Sequence, residues 1–238
     1  MDTSDKITVI VPAAGVGKRL GLGENKAFAD LGGVPLLVRC LEMLADTDLV
    51  KEAIVVTGAD DMVRTEALLR EWKERVFPHM AFRLTEGGKE RQDSVANGLA
   101  LVEDETGYVA VHDGARPFAG KAVFQRTLSA ARYFGAAIAA VPLKDTVKSV
   151  DGNGMVTGTP DRSALRAVQT PQIFEIGLLR RAYKALKENP FPVTDDASLV
   201  EALGEPVAVA EGCYENIKIT TPEDLLLAEK ILEKRGKC

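Results

Sequence analysis

The chain has 238 residues, 46% hydrophobic and 27% charged, with a formal net charge of −5. That size allows one sizeable α/β domain or two small ones, and the acidic balance argues against general nucleic-acid binding while leaving room for a local basic pocket. Cys40, Cys213 and Cys238 have no metal-ligand spacing. With no basic leader in Met1–Lys6 and no apolar run near the roughly 18 residues of a membrane span, a cytoplasmic protein is expected.

Ile7-Thr8-Val9-Ile10-Val11 is a β-branched run of the kind that forms buried parallel strands. It ends at Pro12 and opens into Ala13-Ala14-Gly15-Val16-Gly17-Lys18-Arg19, with Lys26 just beyond. Small residues let main-chain N–H groups approach an anion, so this loop reads as a triphosphate cradle. Two familiar phosphate motifs are excluded. A Walker A loop needs Gly where Pro12 stands and Ser or Thr where Arg19 stands. The dinucleotide fingerprint needs a third Gly and an acid about 20 residues on, where this chain has Leu20 and Pro35-Leu36-Leu37.

Downstream, apolar spacing predicts a helix over 35–44, a strand over 53–57, and a helix capped by Asp60 or Asp61 that runs to about Arg75. A short strand at 81–85 leads through the polar 86–94 segment into a helix at 95–102. A strand at 108–112 ends in Asp113-Gly114-Ala115-Arg116-Pro117, followed by a helix over 123–133 and a strand over 136–141. The helical period then fails from Lys144 to Thr159, where Asp151-Gly152-Asn153-Gly154 signals a hairpin. An isolated ribbon is marginal in water, so it is expected to pack on the sheet domain or on a second subunit. A short strand at 167–169 enters Thr170-Pro171-Gln172, helices follow at 177–187 and from Asp195 or Asp196 to 203, and late strands are expected at 207–210 and 216–219. Thr221-Pro222-Glu223-Asp224 opens the last helix. The alternation predicts one α/β, Rossmann-like domain over 1–238, with a mostly parallel sheet, helices on both faces and a protruding β-hairpin arm at 142–162.

Ligands of such sheets sit beyond the carboxyl ends of the strands. Those ends collect Ala13 to Lys26, then Gly87, Gly88, Arg91 and Ser94, then Asp113 and Arg116, and finally Lys218. A small-residue loop, several cations and one carboxylate suit a polyphosphate with a divalent metal. Plainer readings stand beside this one. His112 reads as a packed strand-end histidine, Asp113 as a brace for the Arg116 turn, Ser94 as a local backbone cap, and Lys218, between Ile217 and Ile219, as part of a solvated strand face.

Pro-Ala-Ala-Gly-Val-Gly-Lys-Arg, Gly-Gly-x-x-Arg-x-x-Ser, Val-His-Asp-Gly-Ala-Arg-Pro, Gln-Thr-Pro-Gln, Thr-Asp-Asp-Ala-Ser and Asn-Ile-Lys-Ile-Thr occur here in that order. With these motifs the chain resembles the 2-C-methyl-D-erythritol 4-phosphate cytidylyltransferases of the non-mevalonate isoprenoid pathway, from about Ile7 to Leu232. The resemblance implies transfer of a cytidylyl group from CTP to methylerythritol phosphate with release of pyrophosphate and with Mg²⁺ as cofactor. It implies Arg19, Lys26 and Lys218 as catalytic cations at the α-phosphate. Ala13, Ala14, Gly15, Gly17, Gly88, Ser94 and Asp113 would hold CTP, and Asp113 would also face the metal, directly or through water. Arg116, Thr146, Arg162, Thr170 and Thr194 would hold the acceptor, and the arm would cross to a partner in a homodimer. The chain departs from the family pattern at Asn25-Lys26-Ala27, where Pro and Gln commonly flank the lysine, and at Lys89, where an acid is common. The nearest alternative is a ribitol-5-phosphate cytidylyltransferase, which Pro-Ala-Ala-Gly disfavours. A catalytically silent nucleotide-binding protein is the reading from another class.

Overall fold

The computed structural model of the chain describes residues 6–15 and 25–236. Its first half contains β1 (Ile7–Pro12), α1 (Leu36–Asp46), β2 (Val50–Thr57), α2 (Met62–Val76), β3 (Ala81–Glu86), α3 (Arg91–Ala100) and β4 (Tyr108–Val111). There follow α4 (Gly120–Phe134), β5 (Ala136–Pro142), the ribbon strands β6 (Ser149–Val150) and β7 (Val156–Gly158), and β8 (Arg166–Glu175). The chain closes with α5 (Ile176–Glu188), α6 (Asp196–Ala202), β9 (Ala208–Glu211) and α7 (Pro222–Arg235). None of the described helices is long and apolar enough to cross a membrane.

The main sheet has the order β3-β2-β1-β4-β8-β5-β9. β1 pairs in parallel with β2 and β4, β2 with β3, and β5 with β9, while β8 runs antiparallel to both its neighbours. Strand order reverses between β1 and β4, which opens a crevice at their carboxyl ends. The central strands are buried on both faces, and side chains alternate between them with period two. Val9 and Val11 pack with Leu37 and Leu41 of α1, Leu69 of α2 and Phe124 and Leu128 of α4. Ile10, Val109 and Val111 pack on the other face with Val95 and Leu99 of α3, Leu179 of α5 and Leu199 of α6. A third cluster joins Leu31, Leu36, Phe118 and Ile219 to Ala228, Ile231 and Leu232 of α7. It anchors the 216–219 segment beside the crevice.

Three expectations change. The short strand predicted at 167–169 is the first part of the ten-residue β8, which continues through Gln172, Ile173 and Phe174. The late strand predicted at 216–219 is irregular. Its Ile219 N–H donates to the Ala115 carbonyl (2.9 Å), and Asn216 Nδ2 donates to the Thr170 carbonyl (2.8 Å), so one main-chain and one side-chain bond hold a segment that the alternation suggested a ladder would hold. Asp61 stands at the N-cap of α2, but its side chain makes no cap bond. The Asp61 carboxylate instead accepts from Asn25 Nδ2 at 2.9 Å.

The hairpin lies where the turn signal puts it. Asp151 Oδ1 accepts from the N–H groups of Asn153 (2.9 Å) and Met155 (3.0 Å), and Gly154 takes φ of 79°, a value that favours glycine. β6 and β7 form their own two-stranded sheet. Val150, Met155 and Val156 remain exposed on it, so the described residues of the sheet domain do not supply their packing surface.

Candidate active site

A cleft of about 310 Å³ occupies the crevice, lined by residues 12–15, Lys26, Gly88, Arg91, Ser94, residues 113–115 and Lys218 among others. The loops after β1 and β3 lie against each other. A Cβ at Gly87 would fall 2.7 Å from the Ala14 Cβ, and one at Gly88 would fall 2.2 Å from the Asp93 Cβ, so neither position admits a side chain without movement. The Gly88 N–H donates to Ser94 Oγ (3.1 Å), and Ser94 Oγ donates to the Glu90 carbonyl (3.2 Å). Ser94 therefore fastens the loop to the first turn of α3.

Lys26 begins a 3-10 turn, Lys26–Phe28, whose position is set by the residue before it. Buried Asn25 accepts from the Ala27 N–H at 3.0 Å and donates from Nδ2 to the Ala13 carbonyl at 3.0 Å and to Asp61 Oδ2 at 2.9 Å. One side chain thus ties the β1 loop, the Lys26 turn and the start of α2 together. The departure from the family pattern at Asn25 has a local structural purpose, and an Asx turn two residues long is its sequence signal.

Asp113 is the electrostatic centre of the cleft. Lys218 Nζ lies 2.9 Å and Arg116 Nε 3.3 Å from its Oδ2, and Arg91 Nε lies 3.8 Å from Oδ1. Burial opposes the charge on this carboxylate, but Lys218, Arg91 and Arg116 outweigh it and hold its pKa well below the usual carboxylate range. Lys218 is not on a solvated strand face; it reaches across the cleft floor. The segment that carries it is held to β8 by Gln169, whose Nε2 donates to the Cys213 carbonyl (2.9 Å) and whose Oε1 accepts from the Cys213 N–H (3.2 Å).

Behind Asp113 runs a fully bonded relay. The Asp113 N–H donates to Thr170 Oγ1 (3.0 Å), and Thr170 Oγ1 lies 3.1 Å from His112 Nδ1. His112 Nε2 is 2.9 Å from the Arg116 carbonyl. A carbonyl only accepts, so Nε2 carries the proton and Nδ1 accepts from the threonine hydroxyl. Burial pushes the His112 imidazole down to about 4, which keeps it neutral at pH 7. His112 is a packed strand-end residue that orients its neighbours.

The remaining expected residues divide. Arg19 and Gly17 lie outside the described residues. Ala13, Ala14, Gly15, Lys26, Gly88, Ser94, Asp113 and Lys218 converge on the cleft. Of the acceptor set, Arg116 and Thr170 stand beside Asp113, with the Thr170 hydroxyl engaged in the relay. Thr146, Arg162 and Thr194 are exposed and do not line the cleft. Arg162 Nη1 donates to the Lys144 carbonyl at the base of the arm. Among the described residues no three His, Cys, Asp or Glu side chains form a metal cluster. Mg²⁺ is commonly held by one or two carboxylates, substrate phosphates and water, and Asp113 is a carboxylate on the cleft wall.

A family model described as 2-C-methyl-D-erythritol 4-phosphate cytidylyltransferase matches residues 7–234. A 2-C-methyl-D-erythritol 4-phosphate cytidylyltransferase of Bacillus mycoides is 46% identical over 230 residues, covering 97% of this chain and 99% of the relative. The crystal structure of 4-diphosphocytidyl-2C-methyl-D-erythritol synthase from Anaerococcus prevotii is 33% identical with a TM-score of 0.83, covering 96% of this chain and 99% of its own. The 2-C-methyl-D-erythritol 4-phosphate cytidylyltransferase structure from Thermus thermophilus is 35% identical with a TM-score of 0.77, with coverage of 96% and 99%. By sequence over nearly its whole length and by fold, the chain belongs to the 2-C-methyl-D-erythritol 4-phosphate cytidylyltransferase family.

Proposed function

We propose that the chain transfers a cytidylyl group from CTP to 2-C-methyl-D-erythritol 4-phosphate in isoprenoid precursor synthesis. A phosphate oxygen of the acceptor attacks the α-phosphorus of CTP in line. The bond to the bridging oxygen breaks, and pyrophosphate leaves with the electron pair. What supports this most directly is the meeting of Lys26, Lys218 and Asp113 around a cleft walled by residues 12–15 and Gly88, at the point where strand order reverses.

The nucleophile is already an oxyanion and needs no general base, which agrees with a His112 that is buried, neutral and engaged on both nitrogens. The difficulty is to bring two anions together. Lys26, Lys218 and, outside the described residues, Arg19 would offset the repulsion and hold charge that builds on the α-phosphate, so positioning and electrostatics carry the rate. Asp113 would hold Mg²⁺, directly or through water, and the metal would supply charge neutralisation on the phosphates. Ala13, Ala14, Gly15, Gly88 and Ser94 would surround the base and ribose, and Arg116, Thr146, Arg162, Thr170 and Thr194 would address the acceptor.

The exposed Val150, Met155 and Val156 support a homodimer in which each arm packs on a partner. The free thiols of Cys40 and Cys213 suit a reducing compartment and support a cytoplasmic location. Pyrophosphate release with CTP and Mg²⁺ should appear with methylerythritol phosphate and not with ribitol 5-phosphate. The reverse preference would transfer the chain to the ribitol reading, and no release with either would leave the silent-module reading.

A further inference from the structure

Asp196, at the start of α6, has no exposed surface. A buried carboxylate is costly unless its charge is matched and its oxygens are bonded. Groups from two other elements meet those needs, and a third holds the main chain. Oδ2 accepts from Arg91 Nη2 of α3 at 2.7 Å, Oδ1 accepts from the Tyr183 hydroxyl of α5 at 2.7 Å, and the main-chain N–H donates to Gln172 Oε1 of β8 at 3.1 Å. Of these partners only Arg91 lines the cleft, where its Nε faces Asp113. The guanidinium therefore spans two carboxylates, one on the cleft wall and one buried behind it. Burial works against the Arg91 charge, but Asp196 and Asp113 outweigh it and raise its pKa above the ordinary value.

We propose that Asp196 is a positioning residue for the nucleotide: it fixes the Arg91 guanidinium from behind so that Arg91 meets CTP in the cleft already oriented. This rests on the CTP reading above. An arginine held by one edge keeps its other donors aimed in a fixed plane, and binding then loses little side-chain freedom. A lysine at 91 has no second donor edge to do both tasks at once. The rival account is that the bridge merely joins α3 to α6. The two accounts differ in which quantity moves: a structural tie changes melting temperature alone, whereas a positioning residue changes CTP affinity, and only while Arg91 is present.

The test is a double-mutant cycle by calorimetric titration of CTP with Mg²⁺ into the full chain, comparing the wild type, Asp196→Asn, Arg91→Ala and the double variant. Asp196→Asn should weaken CTP binding about tenfold, with a smaller change in kcat at saturating CTP. In the Arg91→Ala background the same substitution should change affinity by less than about twofold. Tyr183→Phe keeps the charge and removes one bond, so it should weaken binding in the same direction by less. It serves the same cycle if Asp196→Asn does not fold. A loss of melting temperature with unchanged CTP affinity overturns the inference, as does a loss of affinity that persists without Arg91. No CTP binding by the wild type would overturn the functional reading and this inference with it, whereas equal binding by wild type and variants would overturn this inference alone.

Discussion

On the nucleotide side of the cleft, Gly87 lies against Ala14, Ser94 holds the Gly88 amide, and Asn25 ties the Lys26 turn to the Ala13 carbonyl. On the proposed acceptor side, Thr146, Arg162 and Thr194 stand exposed, and two of them belong to an arm whose Val150, Met155 and Val156 are also exposed. Among its described residues the first side is preorganised by close contacts and hydrogen bonds, so nucleotide binding there would cost little ordering. Under the proposed function, a partner's arm would complete the second. On that reading, nucleotide and acceptor recognition would have separate structural supports, a division that can be broken experimentally.

The largest effects should come from the cations. Lys26→Ala and Lys218→Ala are each expected to lower turnover by about 10²–10³ with circular dichroism unchanged. Near-normal turnover in either would remove that lysine from the catalytic set. Next, replacing residues 149–158 by a short glycine linker should leave calorimetric CTP affinity unchanged but reduce turnover by about 10² or more, with monomeric mass by light scattering. If CTP affinity falls as well, the two sides are not independent.

The relay behind Asp113 gives a pH test of the preorganised side. Burial pushes His112 down to about 4 from an ordinary value of 6.5. Between those values the unfolded chain takes up a proton that the folded chain refuses, so this contribution to stability is complete above about pH 6.5 and is lost as pH falls toward 4. The full effect is on the order of 3 kcal/mol. Urea midpoints of His112→Gln should therefore decline less than those of the wild type across that range; parallel curves would mean that His112 is not the group responsible. The smallest effect is local. Gly88→Ala must displace Asp93 and should weaken CTP binding by about tenfold while costing about 1–3 kcal/mol in stability. An unchanged affinity would show that the loop yields more readily than its contacts suggest.

The wound core was legible because its signals are local. Runs such as Ile7–Val11 and Ala136–Val141 name buried strands without reference to anything distant. β8 was only half legible, because the strand expected at 167–169 stops short of Thr170-Pro171-Gln172. The polar Gln169, Thr170 and Gln172 are buried in a strand because their side chains bond Cys213, His112, Asp195 and the N-terminus of α6. Asn216–Ile219 misled in the opposite sense, since its alternation imitates a strand while the Asn216 side chain, one main-chain bond to Ala115 and the α7 cluster do the holding. In the site, Asp113 and Lys218 belong to quotable motifs. The tie from Arg91 to Asp196 joins residues 105 positions apart, and nothing in either segment names the other.

β8 runs against every other strand of the main sheet. The chain consequently leaves β5 at Pro142 and re-enters the sheet opposite it at Arg166, at one and the same end. A parallel return would have required a crossover to the far end and a helix packed on the sheet. The antiparallel return frees the segment between from any duty to the core, so its length can change while both strands keep their register. Each doubling of such a loop costs only about 0.6 kcal/mol. The reversed strand makes the reach of the arm an adjustable quantity, set apart from the stability of the sheet that carries it.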